Sequence, residues 1–309
     1  MNVTLKFEHL FGMEMHSPIK KNSFGTHDGS FHADEVTACA LLLLFNLIDK
    51  DKIIRTRDQA KLNACEYVCD VGGVYDPDKK RFDHHQVDYD GPLSSAGMVL
   101  LYLKESRFIE AKLYEYFNQS LVIGIDAVDN GQEKPKIGHC SFSGVIANFV
   151  PVIYDLPKKA MDEAFFKALA FVTDHLKRLK ERFYYIQNCR EDVKKAMEEG
   201  NLYLLFDRAM PWIDSFFELG GEEHPALFVI MPSGPHWKLR GIPPTYDDRM
   251  NVRLHLPKSW AGLLEEDLKK ASGIEGAIFC HKGRFISIWE TKEDALRALE
   301  SILEERNVP

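Results

Sequence analysis

Short apolar runs alternate with helical patterns through the first half of the chain. Runs of β-type residues closed by polar clusters predict short strands at Ser23–His27, Lys52–Arg57 and Glu66–Val71. Ala33–Ile48 is apolar nearly all round, which predicts a buried helix. Ser94 and Ser95 can cap another helix that runs to about Glu105. Strands that alternate with helices predict an α/β fold with a mostly parallel sheet.

A single apolar stripe runs along the segment from about residue 158 to residue 197. Its members recur at spacings of four and three residues: Phe165, Leu169, Val172, Leu176, Leu179, Phe183 and Ile186. This period predicts one long helix that packs on a core or bridges two domains. The alternative is a coiled coil that joins two copies of the chain in a homodimer, because about three heptads suffice for such a seam.

Gly220 and Gly221 interrupt the pattern, and a second unit follows them. Strands are predicted at Ala226–Met231, Arg249–Leu256, Gly276–Cys280 and Phe285–Trp289. Helices are predicted at Lys258–Ser272 and Lys292–Glu305. We therefore predict two domains, residues 1–205 with the long helix and a smaller α/β domain of residues 206–309.

Composition narrows the setting and the partners of the protein. The chain has 309 residues, and its longest strictly apolar run, Ala38–Phe45, is far shorter than the ~20 residues that span a bilayer, so we expect no membrane partner. Six cysteines without a CxxC pair predict a reducing, cytoplasmic setting. The net charge of −8 excludes a general electrostatic hold on nucleic acid, so any such binding requires a local basic patch.

Histidines and carboxylates cluster where predicted strands end or the next helix begins. In an open α/β sheet these points meet at the carboxyl edge, where ligands bind. Imidazoles and carboxylates without cysteine suit Mn²⁺, Mg²⁺, Zn²⁺ or Fe²⁺. A site with two ions needs about six or seven protein ligands. The candidates in this chain are His27, His32, Asp34, Asp70, His84 and either Asp126 or Asp129.

The order of HDGSFHADE, DVGG, DHHQ and DAVDNG resembles the DHH phosphoesterase superfamily, which includes single-strand exonucleases, manganese pyrophosphatases and oligonucleotide phosphodiesterases. Within it the chain is most similar to the melanocyte-proliferating-gene family. The patterns THxGxFHxDE, DVGGxYD, RxDHHQ and LSSAG of that family stand at Thr26–Glu35, Asp70–Asp76, Arg81–Gln86 and Leu93–Gly97. The resemblance spans roughly residues 22–290.

The resemblance implies a role for each of these residues. One divalent ion would be held by His27, His32 and Asp70. A second ion would be held by Asp34, Asp70, His84 and Asp129 or Asp126, so that Asp70 bridges the pair. His85 would face the substrate phosphate, and Asp83 would orient the histidines.

Two details refine this expectation. His32 replaces an aspartate that is usual in the wider superfamily, which shifts the expected metal from Mg²⁺ toward Mn²⁺ or Zn²⁺, with Mn²⁺ first. Asp129 is slightly favoured over Asp126, because Asp129-Asn130-Gly131 resembles the Asp-Thr-Gly of many relatives.

A basic and aromatic segment at Pro232–Trp260 is the candidate substrate-binding region. Interleaved cations and rings suit phosphate pairing and base stacking, although a solvated face with core tryptophans gives the same pattern. A later turn carries two more candidate side chains. The substrate-binding candidates are His236, Lys238, Arg240, Arg253, His281 and Arg284.

The resemblance therefore implies a hydrolase with a catalytic first domain and a substrate-binding second domain. We expect a metal-dependent phosphodiesterase that acts on single-stranded RNA or short oligonucleotides, as a 3′→5′ exonuclease, by attack of metal-activated water on phosphorus. One alternative is a pyrophosphatase-like hydrolase of small phosphoanhydrides or dinucleotides. Another alternative is a non-catalytic metal-binding scaffold that assembles through the long helix.

Overall fold

The computed structural model describes residues 18–134, 136–153 and 156–305. The described residues form two compact units, one that ends at Glu181 and one that begins at Arg182. No helix in these ranges is both long enough and apolar enough to cross a membrane.

The first unit is built on a sheet of five short strands. They are β1 (Lys20–Thr26), β2 (Ile53–Arg55), β3 (Cys65–Cys69), β4 (Tyr75–Asp76) and β5 (Arg81–Phe82), in the spatial order β2-β1-β3-β5-β4. Four strands are parallel, and β4 is antiparallel to β5. The chain leaves β1 for β2 on one side and then enters β3 on the other side. The carboxyl ends of β1 and β3 therefore flank a topological switch point, the usual place for a ligand in such sheets.

Helices surround this sheet. They are α1 (Ala33–Leu44), α2 (Gln59–Asn63), α3 (Ser95–Glu105), α4 (Ala111–Phe117), α5 (Ile123–Asp129), α6 (Phe142–Ala147) and the start of α7 (Lys158–Glu198). A π-helical turn at Asn118–Val122 joins α4 to α5. On one sheet face Tyr102 of α3 packs on Phe82 and Tyr67, with ring centroids 5.3 and 6.1 Å apart. On the other face Leu62 of α2 packs with Cys65 and Val68.

The apolar stripe of α7 is buried within the chain. Phe165, Leu169, Val172 and Leu176 have at most 1% of their surface exposed. The ring of Phe165 meets the ring of Phe31 edge-on, with centroids 5.7 Å apart. Core packing thus accounts for this part of the stripe, which is not available as a coiled-coil seam.

The second unit is built on another five-stranded sheet. Its strands are β6 (Tyr203–Leu205), β7 (Phe228–Ser233), β8 (His236–Gly241), β9 (Ala277–Cys280) and β10 (Ile286–Trp289), in the order β6-β7-β8-β10-β9. Its helices are α8 (Ile213–Glu218), α9 (Glu265–Ser272) and α10 (Lys292–Glu305). Strand β6 is parallel to β7, and the other neighbouring pairs are antiparallel.

Separate apolar clusters cover the two faces of this second sheet. On one face Leu239 and Ile230 pack with residues of α9 and α10, such as Leu268 and Leu299. On the other face Val229 and Met231 pack with residues from the end of α7 and from α8. This second cluster includes Cys189, Val193 and Ala196 of α7. For that reason the compact units divide inside α7 and not at the predicted 205/206 boundary.

The α/β fold class with a mostly parallel first sheet is confirmed, while several local predictions differ from the structure. The segment Arg249–Leu256 is not a strand but a series of turns and irregular backbone. The predicted helix Lys258–Ser272 begins only at Glu265, after a 3₁₀ turn and a left-handed Gly262 at φ +75°. Strand β8 is absent from the predicted elements, because its alternating cations indicate a basic patch as readily as a strand.

Gly97 of α3 and Gly124 of α5 offer a matched test of the packing between these helices. Gly97→Ala is expected to lower the free energy of unfolding by about 1–3 kcal/mol, because the added Cβ would overlap the carboxylate of Asp126. A Cβ at Gly124 meets no described atom within 4 Å, so Gly124→Ala should be neutral or stabilising by up to about 1 kcal/mol. Urea unfolding followed by circular dichroism measures both variants. Equal destabilisation of the two would contradict the close approach of α3 to Asp126.

Candidate metal centre

The strands of the first sheet deliver acidic and imidazole side chains to one edge. His27 directly follows β1, Asp70 follows β3 and Asp83 follows β5. Asp70 has a φ of 56°, in the left-handed region that aspartate tolerates better than most residues. Its backbone N–H donates to the carbonyl of Phe82 at 3.0 Å, which holds this conformation in place. The switch point of the sheet thus presents a carboxylate in a fixed backbone setting.

His27 is oriented by its own loop and faces two carboxylates. Its Nδ1 donates to the carbonyl of Asp28 at 3.0 Å, which directs Nε2 inward. Nε2 lies 3.0 Å from Oδ2 of Asp70 and 3.3 Å from Oε1 of Glu35. Burial alone would lower the pKa of His27, but the hydrogen bonds to Asp70 and Glu35 outweigh it and raise the pKa to about 10.

His84 is oriented by an amide whose own direction is fixed. The Nδ2 of Asn130 donates to the carbonyls of Pro92 and Asp126, so its Oδ1 accepts from Nδ1 of His84 at 3.2 Å. This arrangement places Nε2 of His84 3.1 Å from Asp129, 3.5 Å from Asp70 and 4.0 Å from Asp34. The nearby carboxylates of Asp129 and Asp70 raise the pKa of His84 to about 10.

Several polar atoms in this cluster are buried without a hydrogen-bond partner among the described residues. They are both carboxylate oxygens of Asp34, Oδ1 of Asp70 and Nε2 of His84. Burial raises the pKa of Asp34 well above its ordinary value, and the charges of Asp70, Glu35 and Asp129 add to this effect. Buried carboxylate oxygens without donors are unfavourable unless a cation coordinates them. The residues present therefore fit a divalent cation.

The side chains also group with the spacing of metal ligands. Within each of three groups, the ligand atoms all lie within 4.8 Å of one another. The groups are His27, His32, Glu35 and Asp70; then Asp70, His84 and His85; and then His32, Asp34 and Asp129. Asp70 and His32 each belong to two groups, so a shared carboxylate stands between neighbouring coordination positions. All of these donors are oxygen or imidazole nitrogen, the combination that hard and borderline divalent ions prefer.

His85 lies at the exposed side of the site, and Asp83 fixes its orientation through hydrogen bonds. Oδ1 of Asp83 accepts from Nδ1 of His85 at 2.8 Å and from its backbone N–H at 3.1 Å. The side chain of His85 remains 64% exposed. It lines a cleft of about 450 Å³ together with His27, His32, Asp70 and Arg57. The ring is thus directed by its Nδ1 while its other edge is accessible to a ligand.

Asp126, the alternative to Asp129, lies outside this cluster. Its Oδ1 accepts from the backbone N–H and hydroxyl of Ser94, at 3.1 and 2.6 Å, and from the N–H of Gly97 at 3.1 Å. These hydrogen bonds occupy backbone N–H groups at the start of α3 that have no acceptor within the helix, which explains why Ser94 and Gly97 occur in one motif. Asp126 therefore caps the start of α3, and of the two alternatives Asp129 is the one whose carboxylate lies in a group with ligand spacing.

Two residues of the site were missed from the sequence. Both oxygens of Glu35 accept from the backbone N–H of His32, at 3.0 and 2.9 Å, so Glu35 fixes the start of α1 as well as facing His27. The spacing of His32 and Glu35 matches a capping box, a signal that could have identified this contact. Arg57, which lines the cleft, offered no such signal because it ends a predicted strand among other polar residues.

A buried arginine supports the loop that carries His27. Arg55 donates to the carbonyl of Gly29 at 2.6 Å and to Asp162 of α7 at 2.9 Å. Its guanidinium lies between the rings of Phe31 and Phe165, 5.5 and 4.8 Å from their centroids. These contacts attach the loop to the first part of α7.

The substrate-binding candidates of the second unit differ in the hydrogen bonds that their side chains make within the chain. Arg253 donates to the carbonyls of Gly221, Glu222, His224, Ala226 and Pro243. All three of its side-chain nitrogens thus donate to backbone carbonyls, so in this structure Arg253 joins segments of the second unit. His281 accepts from the N–H of Gly283 at 2.9 Å, and Arg284 donates to Leu256 at 3.2 Å, so both support the β9–β10 turn. The candidates His236, Lys238 and Arg240 all lie on β8.

Comparison with known proteins identifies the family. Residues 23–303 match the family model MYG1_exonuc, described as an uncharacterised protein family (UPF0160). The MYG1 protein of Chlamydia muridarum is 55% identical over 286 residues, which cover 93% of this chain and 98% of that protein. The human MYG1 exonuclease is 31% identical over 325 residues, which cover 92% of this chain and 86% of that protein.

A structural neighbour is the crystal structure of RecJ from Thermus thermophilus in complex with Mn²⁺. The match covers 93% of this chain and 52% of the RecJ chain, with a TM-score of 0.28 and 12% identity. This similarity is too low to support an argument. The family model and the relatives, in contrast, each cover most of this chain. The protein therefore belongs to the MYG1 family, in agreement with the resemblance seen in its motifs.

Proposed function

We propose that this protein is a metal-dependent nuclease that hydrolyses phosphodiester bonds of single-stranded RNA or short oligonucleotides from the 3′ end. The observation that carries the proposal is the group of buried, unpartnered carboxylate oxygens at the switch point of the first sheet, which fits divalent cations. Mammalian relatives are named exonucleases, which supports nucleic acid as the substrate. The preference for RNA and the direction of degradation rest on the motif resemblance.

In this proposal the cluster would hold two ions. His27, His32 and Asp70 would hold one ion, with Glu35 beside His27. Asp34, Asp70, His84 and Asp129 would hold the second ion, so that Asp70 would be shared by both. Mn²⁺ is the proposed metal, because the imidazole share of the donors shifts preference from Mg²⁺ toward Mn²⁺ or Zn²⁺. When bound, the ions lower the pKa of a water molecule and withdraw charge from the substrate phosphate.

The remaining side chains position the substrate. His85, whose Nδ1 is fixed by Asp83, presents Nε2 to a phosphate oxygen and stabilises the charge that develops there. Arg57 lines the same cleft and pairs with a neighbouring phosphate. The fixed orientations of His27 and His84 keep Nε2 of each ring directed at the carboxylates, so the site needs little rearrangement when the metal binds.

Asp70→Asn tests the bridging role and the activity together. This variant is expected to lose bound Mn²⁺ and to lower the rate of oligonucleotide cleavage by at least about 100-fold, because one neutral amide cannot balance two cations. Metal content is measured by mass spectrometry and cleavage by electrophoresis of end-labelled single-stranded RNA. Asp58→Asn, at the exposed N-cap of α2, is the matched control and should retain metal and activity.

The same assay distinguishes the competing functions. A 3′→5′ exonuclease converts 5′-labelled RNA into a ladder and releases a labelled mononucleotide at once from 3′-labelled RNA. Turnover of pyrophosphate without cleavage of any oligonucleotide would replace the proposal with a phosphoanhydride hydrolase. Bound Mn²⁺ without turnover of either substrate would support a scaffold. Wild-type cleavage rates in Asp70→Asn would remove the bridging role.

Asp129→Asn and Asp126→Ala separate a metal ligand from a structural carboxylate on the same helix. Asp129→Asn should reduce Mn²⁺ content while the metal-free protein keeps its melting temperature. Asp126→Ala should retain Mn²⁺ but lower the free energy of unfolding by about 1–3 kcal/mol, because it removes the acceptor of three hydrogen bonds at the start of α3. Metal analysis and thermal unfolding give both readouts. The reverse pattern would exchange the two assignments.

Asp34→Asn tests the electrostatic balance of the site. In metal-free protein this variant should raise the free energy of unfolding by about 1 kcal/mol, because it removes a buried charge that faces Asp70 and Asp129. It should also abolish most of the rise in melting temperature that Mn²⁺ gives the wild type. Thermal unfolding in EDTA and in Mn²⁺ measures both effects, with Asp58→Asn again as control. A variant that is less stable in EDTA yet fully stabilised by Mn²⁺ would contradict this account.

A further inference from the structure

Strand β8 of the second unit carries two cations side by side on one face of its sheet. Lys238 and Arg240 are two residues apart, so their side chains leave the same face about 6.7 Å from each other. Their neighbour Leu239 points to the opposite face, into the apolar cluster that α9 and α10 cover. The two cations therefore lie on the other face, where their β7 neighbours Val229 and Met231 pack with α7 and α8 and their β10 neighbours remain partly accessible.

No carboxylate of the described chain pairs with either cation. Lys238 and Arg240 are half-buried, and neither has an ion pair with a described residue. Burial lowers the pKa of both groups, and the charge of Arg240 lowers that of Lys238 further. The Nε of Arg240 and the Nδ1 of His236 are buried and have no hydrogen-bond partner among the described residues. Two desolvated cations that repel each other and lack acceptors are unfavourable on their own, and an anion would satisfy them.

Neighbouring basic residues differ from this pair. Arg249 has its own carboxylate, because its guanidinium lies 3.1 Å from Asp214. Arg253 is engaged by backbone carbonyls. Uncompensated positive charge is thus concentrated at Lys238 and Arg240, in a chain whose net charge is −8.

The surface beside the cations is apolar and partly accessible. Ile288 lies opposite Lys238, and Ile286 lies opposite Arg240, on the adjoining strand β10. Phe279 of β9 continues the row beyond Ile288, roughly 10 Å from Lys238 across two strand spacings. These three apolar side chains are half-buried, so their rings and methyl groups remain available to a ligand.

We propose that this face of β8, β10 and β9 binds a single-stranded nucleic acid, with Lys238 and Arg240 on successive phosphates and Phe279 under a base. The spacing of the two cations along the strand suits neighbouring phosphates of an extended chain. A half-exposed ring on the outer strands of this face suits an unpaired base, which stacks on aromatic side chains, whereas a duplex keeps its bases stacked inside. The inference rests on the proposed function only for the class of ligand, since the face is described without reference to the metal cluster.

Binding in EDTA tests this surface separately from cleavage. The probe is a short 5′-labelled single-stranded oligouridylate, and fluorescence anisotropy of the full-length protein gives its Kd. The double variant Lys238→Gln/Arg240→Gln is expected to raise Kd at least about tenfold. The slope of log Kd against log salt should fall by about 1.4, because each lost phosphate contact contributes about 0.7 for a single strand.

Lys269→Gln/Lys270→Gln on α9 is the matched control, because it removes the same charge from the same unit away from this face. The control should bind within about twofold of the wild type, and Lys238→Arg should also retain binding. Circular dichroism confirms that each variant is folded. Wild-type affinity in Lys238→Gln/Arg240→Gln, or equal weakening in the control, would overturn the proposal. Equal affinity for a duplex or for a mononucleotide would overturn the assignment to a single strand.

The outcomes also separate this inference from the proposed function. Loss of affinity in Lys238→Gln/Arg240→Gln supports the binding face whether or not the wild type cleaves a phosphodiester. If the wild type cleaves none, only the nuclease proposal is overturned. Cleavage of RNA by the wild type, together with unchanged affinity in the double variant, would overturn the binding face alone.

Discussion

The first unit depends on a balance of charge at the switch point of its sheet. Asp70, Asp34 and Glu35 are buried, and each has a carboxylate oxygen within 4.0 Å of Nε2 of His27 or His84. In the chain itself the high pKa values of His27 and His84 provide the compensating positive charge. A divalent cation can provide it more completely, because it can coordinate carboxylate oxygens that accept no hydrogen bond from the described residues. The carboxylates that destabilise the folded state in the absence of metal are thereby the basis of its affinity for metal.

The surrounding structure serves to keep these groups in place. Each imidazole is oriented by the nitrogen that faces away from the cluster: His27 by a backbone carbonyl, His84 by Asn130 and His85 by Asp83. Arg55 and its two aromatic neighbours hold the loop below His27. Most of this support comes from loops at strand ends rather than from the strands themselves, and the short parallel strands fix where those loops begin.

Much of this arrangement could be predicted from the sequence, because the responsible signals are local. His27 and Asp70 each follow an apolar run directly, and parallel strands bring their carboxyl ends together whatever the details of the core. Long-range choices were harder to predict. Asp126 and Asp129 are one helical turn apart, and only the position of α3 determines which of them is used for capping. Arg253 looked like a free cation, since nothing near it in sequence reveals the distant carbonyls that it binds.

The π-helical turn at Asn118–Val122 determines the direction in which the side chains of the following helix, α5, point. A residue inserted into a helix as a π turn rotates the downstream part by about 100° relative to the upstream part. Helix α5 begins at the end of this turn, so its azimuth is fixed by one additional residue rather than by the packing of α4. A chain that lost one residue here would wind as a continuous α-helix and swing Asp129 away from His84. The number of residues in this short segment thus sets the direction of α5, while its buried side chains Leu121 and Val122 pack in the core.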